Sequence, residues 1–440
     1  MAGPLTTAPQ RVAVVGAGWA GLAAAVELVD AGHAVTLIDM AAQPGGRARS
    51  TPSTTLPQQD NGQHILIGAY RDTLAMMRRV GVDPDAVLLR TRLSLRDPQG
   101  RGLALGGGPA TVAFALGVLR WQDCPWPDRL ALLRLALGWR LGGFRCEPDQ
   151  SVQEFAQGCP PSVYQALLEP LCVAALNTPA PQASAQVMLT VLRDALFGGP
   201  GSADLLLPRA PLDALFPRPA LAWLMQRGVA WHPRRPVRQL RPAPGAGWQV
   251  DDLPPVDQVV LACSATEAAR LVHPLAPHWS RQALAIRYQP IATAWIDAPP
   301  ARWTAPMLRL SDGPAQFAFD LSALGGPPGC FTLVASGAAD LAAQGAAAAG
   351  QALLAHWQRC FGPDARLRSV RIEKRATFAC TPGLARPAAR VAPSLWAAGD
   401  YVEGPYPATL EGAVRTGRQV ALAVAASGAG QVLGMKSPST

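Results

Sequence analysis

The chain opens on a short apolar run, Val12-Ala-Val-Val15, which breaks at Gly16-Ala-Gly18-Trp-Ala-Gly21 and resumes as an apolar stretch reaching about Ala31. An unbroken apolar run before a glycine cluster predicts a buried strand, and the longer run after it predicts a helix. A second strand, Ala34-Val-Thr-Leu-Ile38, ends at Asp39. Together these elements read as the opening of a dinucleotide-binding unit. Gly16 permits the tight turn, Gly18 lets backbone approach a pyrophosphate, and Gly21 lets the helix lie close to the sheet. Asp39 follows the glycines by about 20 residues, where a carboxylate accepts ribose hydroxyls. It would repel a 2′-phosphate, which favours FAD or NAD over NADP.

Further along, Leu74 to Val80 predicts a helix ending at Gly81. Between about 110 and 200 the pattern turns mainly helical, with apolar stretches at Thr111–Trp121, Leu130–Phe144, Val163–Leu176 and Ala183–Phe197. They are too short or too interrupted to cross a bilayer. Packed together they wall a greasy cavity, face a membrane surface, or form a plain helical core. Proline and glycine break the chain at 198–219. A compact β-run follows at Val229–His232, Val237–Leu240 and Trp248–Val250, leading to Asp257–Cys263, a buried strand that ends in a loop. Residues 275–385 mix strands at Ile291–Ile296, Phe317–Leu321 and Phe331–Ala335 with one helix, about Gln344–Phe361. Near the end, Leu395-Trp-Ala-Ala-Gly399-Asp400 leads into Pro407-Ala-Thr409-Leu410-Glu411-Gly412-Ala413, which opens another helix.

After the second strand, Gln43-Pro-Gly45-Gly46-Arg47-Ala-Arg49 supplies two glycines that fold a loop over a pyrophosphate and an arginine that forks onto its oxygens. With this loop the chain resembles the flavin superfamily of amine oxidases and phytoene-type desaturases. The resemblance implies FAD, clamped by Gly16, Gly18, Gly21, Asp39, Gly46 and Arg47 at one end of the chain. Gly399, Asp400, Thr409 and Leu410 at the other end would hold the ribityl chain and flavin ring, and Val237 matches a valine whose backbone meets the adenine. The expected fold class is α/β: a Rossmann-like FAD-binding domain of glutathione-reductase type with an inserted mixed α+β substrate domain. Residues 1–80, 205–272 and 390–428 fall to the first. Residues 81–204, mainly helical, and 273–389 fall to the second, and 429–440 to a disordered tail.

Asp60-Asn61-Gly62-Gln63-His64, with Gly68-Ala-Tyr70, Tyr401 and the Pro407–Ala413 stretch, carries a narrower resemblance. It is similar to the hydroxysqualene dehydroxylases of bacterial hopanoid pathways, also described as squalene-associated FAD-dependent desaturases. That likeness implies reductive removal of a hydroxyl from a long apolar isoprenoid, with acid-assisted loss of water and hydride delivery from reduced flavin N5. His64 is the first candidate acid and Asp60 the second. Tyr70, Tyr401 and Tyr406 are candidate electron-rich walls for an allylic cation. The bland alternatives are that His64 bonds only its own loop and that Tyr401 merely neighbours the cofactor. Carotenoid-type desaturation, with hydride running the other way, is the competing reaction. A flavin-free prenyl-lipid carrier of the same fold is the competing non-enzyme, but it would need no intact clamp. Many amine oxidases use a lysine bonded through water to flavin N5, and neither Lys374 nor Lys436, the only lysines, stands where that residue is expected.

Composition adds bounds. Of 440 residues 49% are hydrophobic and 16% charged, which leaves room for buried or lipid-facing apolar surface. The net charge of +9 comes from scattered arginines, which gives nucleic-acid binding little support and a weak attraction to anionic membrane some. Eight cysteines without a C-x-x-C pair, after a start lacking a secretory pattern, read as reduced thiols in a cytoplasmic protein, with peripheral contact at the inner face of the membrane as the extension. The six histidines are dispersed and indicate no metal. There is no second nucleotide fingerprint, so electrons would come from a transiently bound nicotinamide or a separate reductase.

Overall fold

The two ends of the chain meet in one six-stranded sheet. Its strands run in the order Arg390–Ala392, Leu395–Ala397, Gln258–Leu261, Arg11–Val15, Ala34–Ile38 and Ala230–His232. All neighbours pair in parallel except the outermost, Arg390–Ala392. The computed structural model describes residues 8–51, 59–244, 247–299, 303 and 305–433. Strands buried on both faces need apolar residues throughout, and Val12, Val14, Val259 and Val260 are fully buried.

The opening helix, Trp19–Asp30, packs against the closing helix, Leu410–Leu433. Their backbones nearly touch: a Cβ added to Gly417 would stand 2.2 Å from the Ala20 carbonyl oxygen. Polar ties reinforce the contact. Glu411 is buried and accepts hydrogen bonds from the N–H groups of Asp72 (3.1 Å) and Thr73 (2.9 Å) and from the Thr73 hydroxyl (2.8 Å). The free N–H groups of helix Arg71–Arg79 are thus capped by a residue from the far end of the chain. Arg415 pairs with Asp72 and Glu411, while Arg418 bridges Glu27 and Asp72.

A second, antiparallel sheet has the order Met307–Arg309, Phe317–Asp320, Cys330–Ala335, Tyr288–Asp297 and Arg366–Phe378. Its side chains alternate between two environments. Ala292, Ala294, Ile296, Ala318 and Leu333 pack with Leu353 and Trp357 of helix Ala346–Phe361. Ile291, Thr293, Phe317, Phe319 and Val334 line a cavity on the opposite side. Helices Glu169–Leu176 and Ala185–Leu196 complete that cavity. On the latter, Met188, Val191, Leu192 and Ala195 recur at helical spacing along the wall. Helix Glu169–Leu176 follows a π-turn, Tyr164–Leu168. Pro170 has no N–H to return to that turn, so the ladder widens there.

The structure corrects the sequence reading at several points. Ala230–His232 is an outer strand of the parallel sheet rather than part of one compact β-run with the strands that follow it. Val237 lies outside any strand, because Pro236 lacks an N–H and the N–H groups of Arg238 and Gln239 go to the Asp251 carboxylate. The paired strands are Leu240–Pro242 and Trp248–Val250. Past Cys263 comes not a loop but helix Ala265–Val272, capped by Ser264, which accepts from the Glu267 N–H. The stretch 198–219 holds a buried strand, Leu205–Pro208, a short helix, Leu212–Leu215, and the start of another, Pro217–Met225. The helix expected at about 344–361 is found at Ala346–Phe361, and a further helix, Ala339–Gln344, precedes it across Gly345, which adopts φ +88°. The closing helix runs on to Leu433, into the expected tail, while 434–440 lie outside the described residues.

Glu411→Ala removes the acceptor of three buried hydrogen bonds and one partner of Arg415. We expect a loss of about 2–4 kcal/mol, against less than about 0.5 kcal/mol for Asp340→Ala at an exposed site. Urea unfolding midpoints measure both, and equal midpoints would reject the capping role.

Candidate functional site

The C-terminal ends of the parallel strands converge at Gly16, Asp39, Ala262 and Gly399, all on the wall of one cavity of about 840 Å³. Such a convergence is where open α/β sheets bind ligands. Gly16 adopts φ +113°, and a Cβ there would meet the Ala262 carbonyl oxygen at 2.5 Å, so the turn admits only glycine. Gly21 lies behind the turn, off the wall, where a Cβ would stand 1.9 Å from the Gly16 oxygen. Gly18 is different. Its added Cβ would meet nothing nearer than the Gly46 Cα at 3.9 Å, so the protein itself leaves that space open. The opening helix begins at Trp19 with Gly18 as its N-cap, without a side-chain cap and without an acid in its first turn. Its free N–H groups and dipole make this end of the cavity an anion site.

Asp39 is half-buried, its carboxylate accepting from the N–H groups of Ala17 (2.6 Å) and Ala41 (2.7 Å), with lone pairs left for hydroxyl donors. The Gly45-Gly46 loop is pinned by the Gly45 N–H on the Ala17 carbonyl at 2.8 Å. Arg47 donates to the Ala376 carbonyl at 2.9 Å and pairs with Asp400, 353 positions away. The Gly399 N–H donates to the Thr416 hydroxyl at 3.0 Å. Thr409 accepts from the Gly412 N–H at 3.0 Å and so caps the closing helix, bringing a second helix N-terminus with Leu410 to the same wall. Val237 also lines it, its carbonyl accepting from Arg270 at 2.7 Å. Of the residues expected to hold a cofactor, all but Gly21 therefore border a single space.

The expected catalytic residues divide. His64 lines the cavity with Nδ1 3.3 Å from the Gly62 carbonyl. Burial pushes its pKa down to about 4 despite that contact, with Arg47 adding to the push, so the ring is neutral at pH 7. Tyr401 is 2% exposed, and burial raises its pKa well above the usual phenol range, so it keeps its proton. Tyr70 and Tyr406 share the wall, the latter donating to Asp194 (2.5 Å) and accepting from Arg415 (2.6 Å). Asp60 is the correction. It is absent from the cavity wall, because the Ser50 hydroxyl (2.6 Å) and the Leu212 N–H (3.1 Å) hold its carboxylate elsewhere.

Sequence reasoning missed the polar group beside His64. The Asn61 amide donates to the Arg47 carbonyl (2.8 Å) and to Glu373 (3.0 Å), and Arg371, Thr293 and Tyr288 line the same region. Their signal was the period-two alternation of Arg366–Phe378. Val370 and Ile372 pack toward helix Ala346–Phe361, while Arg371, Glu373 and Arg375 border the cavity. Lys374 is exposed and off the wall, and Lys436 lies outside the described residues.

Two buried polar atoms at this wall, Asn61 Oδ1 and the Tyr401 hydroxyl, have no hydrogen-bond partner. Buried polar groups are nearly always satisfied, so these two await atoms of a ligand. The opening at Gly18, two helix N-termini, the Asp39 carboxylate and Arg47 fit a flavin dinucleotide.

Comparison with known proteins agrees. Residues 19–425 match the family of flavin-containing amine oxidoreductases. The hydroxysqualene dehydroxylase of Rhodopseudomonas palustris is 30% identical over 438 residues, covering 95% of this chain and 99% of that protein. That of Zymomonas mobilis is 28% identical over 93% and 97%. The probable zeta-carotene desaturase of Synechococcus elongatus is 45% identical, but over only 16% of this chain and 15% of its own. Among solved structures, an oxidoreductase from Methanosarcina mazei superimposes with a TM-score of 0.72 at 15% identity, covering 93% and 99%. Cyclohexylamine oxidase from Brevibacterium oxydans does so with 0.68 at 17%, covering 96% and 99%.

The Cβ of Gly18→Val enters reserved space without striking protein, so the variant should fold, melt within a few degrees of the parent and purify without flavin absorbance. Gly21→Val should instead lower the melting temperature sharply, because its side chain strikes backbone. Flavin retained at full occupancy in Gly18→Val would overturn the assignment of the turn. A cradle built from both ends of the chain and matches along nearly its whole length lead to one conclusion: the chain belongs to the flavin-containing amine oxidoreductase family, within its hydroxysqualene dehydroxylase group, and is an FAD-dependent oxidoreductase.

Proposed function

We propose that this protein reductively removes the hydroxyl of hydroxysqualene to give squalene. The observation that carries the reading is continuity: the wall bearing Arg47 and Asp400 runs without a break into Leu171, Met188, Leu192, Met307, Phe317 and Phe319. A cofactor cradle opening directly into hydrocarbon-lined space suits a long apolar substrate, and the relatives named above carry the corresponding activity in their names. Reduced flavin, when bound, supplies hydride.

The protein's own residues supply the rest. Apolar side chains hold the hydrocarbon and exclude water, which strengthens every polar contact left inside. The polar group of Asn61, His64, Glu373 and Tyr401 is where a single hydroxyl finds partners. Departure of that hydroxyl as water requires a proton. His64, with a pKa of about 4, is a strong acid in its minor protonated form. The Glu373 carboxylate and the ring faces of Tyr401, Tyr70 and Tyr288 counter the positive charge left on the allylic carbon. Asp60 takes no part.

Purified protein incubated anaerobically with hydroxysqualene and a flavin reductant should yield squalene on extraction. Absence of squalene, with dehydrogenation of an unsaturated hydrocarbon by the oxidised enzyme instead, would favour desaturation. With His64 as the proton source, turnover should climb as pH falls from 8 to 5, because the imidazolium fraction grows up to tenfold per unit above its pKa. His64→Ala should flatten that slope, and a slope unchanged in the variant would remove His64 from the role. The sign for folding is opposite. A histidine held neutral contributes stability above its unfolded pKa of about 6.5 and loses it as pH drops toward 4, so melting temperature should hold steady from pH 8 to about 6.5 and fall below that, while turnover still rises.

A further inference from the structure

Seven large apolar side chains stand exposed on one helical hairpin. Helix Ala110–Leu119 presents Val112, Leu116 and Leu119, and helix Trp126–Leu141 presents Trp126, Leu130, Leu137 and Leu141, the last 80% exposed. The spacings i, i+4, i+7 in the first and i, i+4, i+11, i+15 in the second keep each set on one face. A solitary exposed leucine needs no explanation. Elsewhere among the described residues the exposed large apolar side chains, Met40, Met225, Leu284 and Leu422, stand singly, so the concentration on the hairpin is what has to be explained.

The hairpin is braced from inside. Arg129, 8% exposed, donates to the carbonyls of Leu119 (2.8 Å), Gln122 (3.1 Å) and Cys124 (2.7 Å), tying the end of the first helix and the connector to the second helix. Its guanidinium lies 4.6 Å from the centroid of the Trp126 ring, which fixes that indole as well. The apolar face is therefore held in place by buried hydrogen bonds rather than shown by fraying.

Charge selects the partner. Arg120, Arg134 and Arg145 are exposed and form no ion pair among the described residues, and Arg134 lies within the apolar stripe of its helix. The two acids of the hairpin are engaged elsewhere. Asp123 accepts from the Gly102 N–H and the Trp121 indole, and Asp128 from the Ser162 hydroxyl. An apolar face interleaved with unpaired arginines fits the interface of an anionic bilayer, where leucine and tryptophan enter the acyl boundary and guanidinium groups reach phosphate. A second copy meeting it face to face would set arginine against arginine across a twofold. Among the described residues no helix is long and apolar enough to cross a membrane, so contact would be parallel to its surface.

We propose that the hairpin 110–141 docks the protein on an anionic lipid surface. The proposal stands on the exposed face alone and holds whatever the enzyme's substrate. One helix, Ala185–Leu196, separates this face from the cavity: Thr111 donates to the Leu196 carbonyl at 3.4 Å, while Met188 and Leu192 line the cavity.

The test is flotation of the purified flavoprotein with vesicles of phosphatidylcholine, with and without phosphatidylglycerol. The parent should float with the anionic vesicles and at least tenfold less with the neutral ones. Leu137→Asp with Leu141→Asp should abolish flotation, and Leu137→Gln with Leu141→Gln should weaken it strongly. Arg120→Ser with Arg134→Ser and Arg145→Ser should erase the preference for anionic lipid. Flavin absorbance and melting temperature should stay at the parent's values, since every changed residue is exposed. A parent that fails to float, or a double-aspartate variant that floats as well as the parent, overturns the proposal. So does a parent dimer that the aspartates convert to monomer without vesicle binding, which would assign the face to a second copy.

Discussion

The structure depends on one join. Arg47, near the start, pairs with Asp400, near the end, and Glu411 of the closing helix caps the helix that begins at Arg71. An ion pair such as Arg47–Asp400 contributes little stability where water reaches it. Its weight lies in position, because it fixes two walls of one cavity that the chain would otherwise leave unrelated. Glu411 carries more energy. Burial raises its pKa, and only the Thr73 and Asp72 donors, with Arg415 alongside, make an ionised carboxylate tolerable there. The helix crossing at Gly417 adds the packing that such a join needs.

The second sheet separates two tasks by parity. One set of alternate residues builds a core with Trp357, and the other set forms the cavity wall. Thr293, Arg371 and Glu373 can hold charge and hydroxyls because their neighbours Ala292, Ala294, Val370 and Ile372 carry the packing. The same economy appears in helix Ala185–Leu196, one face of which lines the cavity while Leu189 and Thr190 are buried away from it.

What the sequence disclosed follows from this division. The turn at Gly16, the Gly45-Gly46-Arg47 loop and the Gly399-Asp400 end were legible because each is a local backbone requirement written in glycine. Tyr401 was legible by its proximity to Asp400, and His64 through the resemblance carried by the Asp60–His64 stretch; both line the wall. Asp60 misled because, within Asp60-Asn61, adjacent side chains serve different sides, and only Asn61 reaches the cavity. Arg366–Phe378 went unseen because its charged positions imitate a solvated surface, whereas Arg371, Glu373 and Arg375 border the cavity. Val237 was placed in a strand because its neighbours look β-forming, yet Asp251 takes the donors a strand would need.

The order of synthesis turns the join into a timetable. Leu395–Ala397 enters the parallel sheet beside Gln258–Leu261, and the closing helix then covers Trp19–Asp30. Both are made after the elements they join, so until then the nascent chain carries an unfinished sheet, an uncapped helix at Arg71 and half a nucleotide cradle. The complete nucleotide cradle therefore exists only once the strand at Leu395 and the helix at Leu410 have been made and have joined the amino-terminal half.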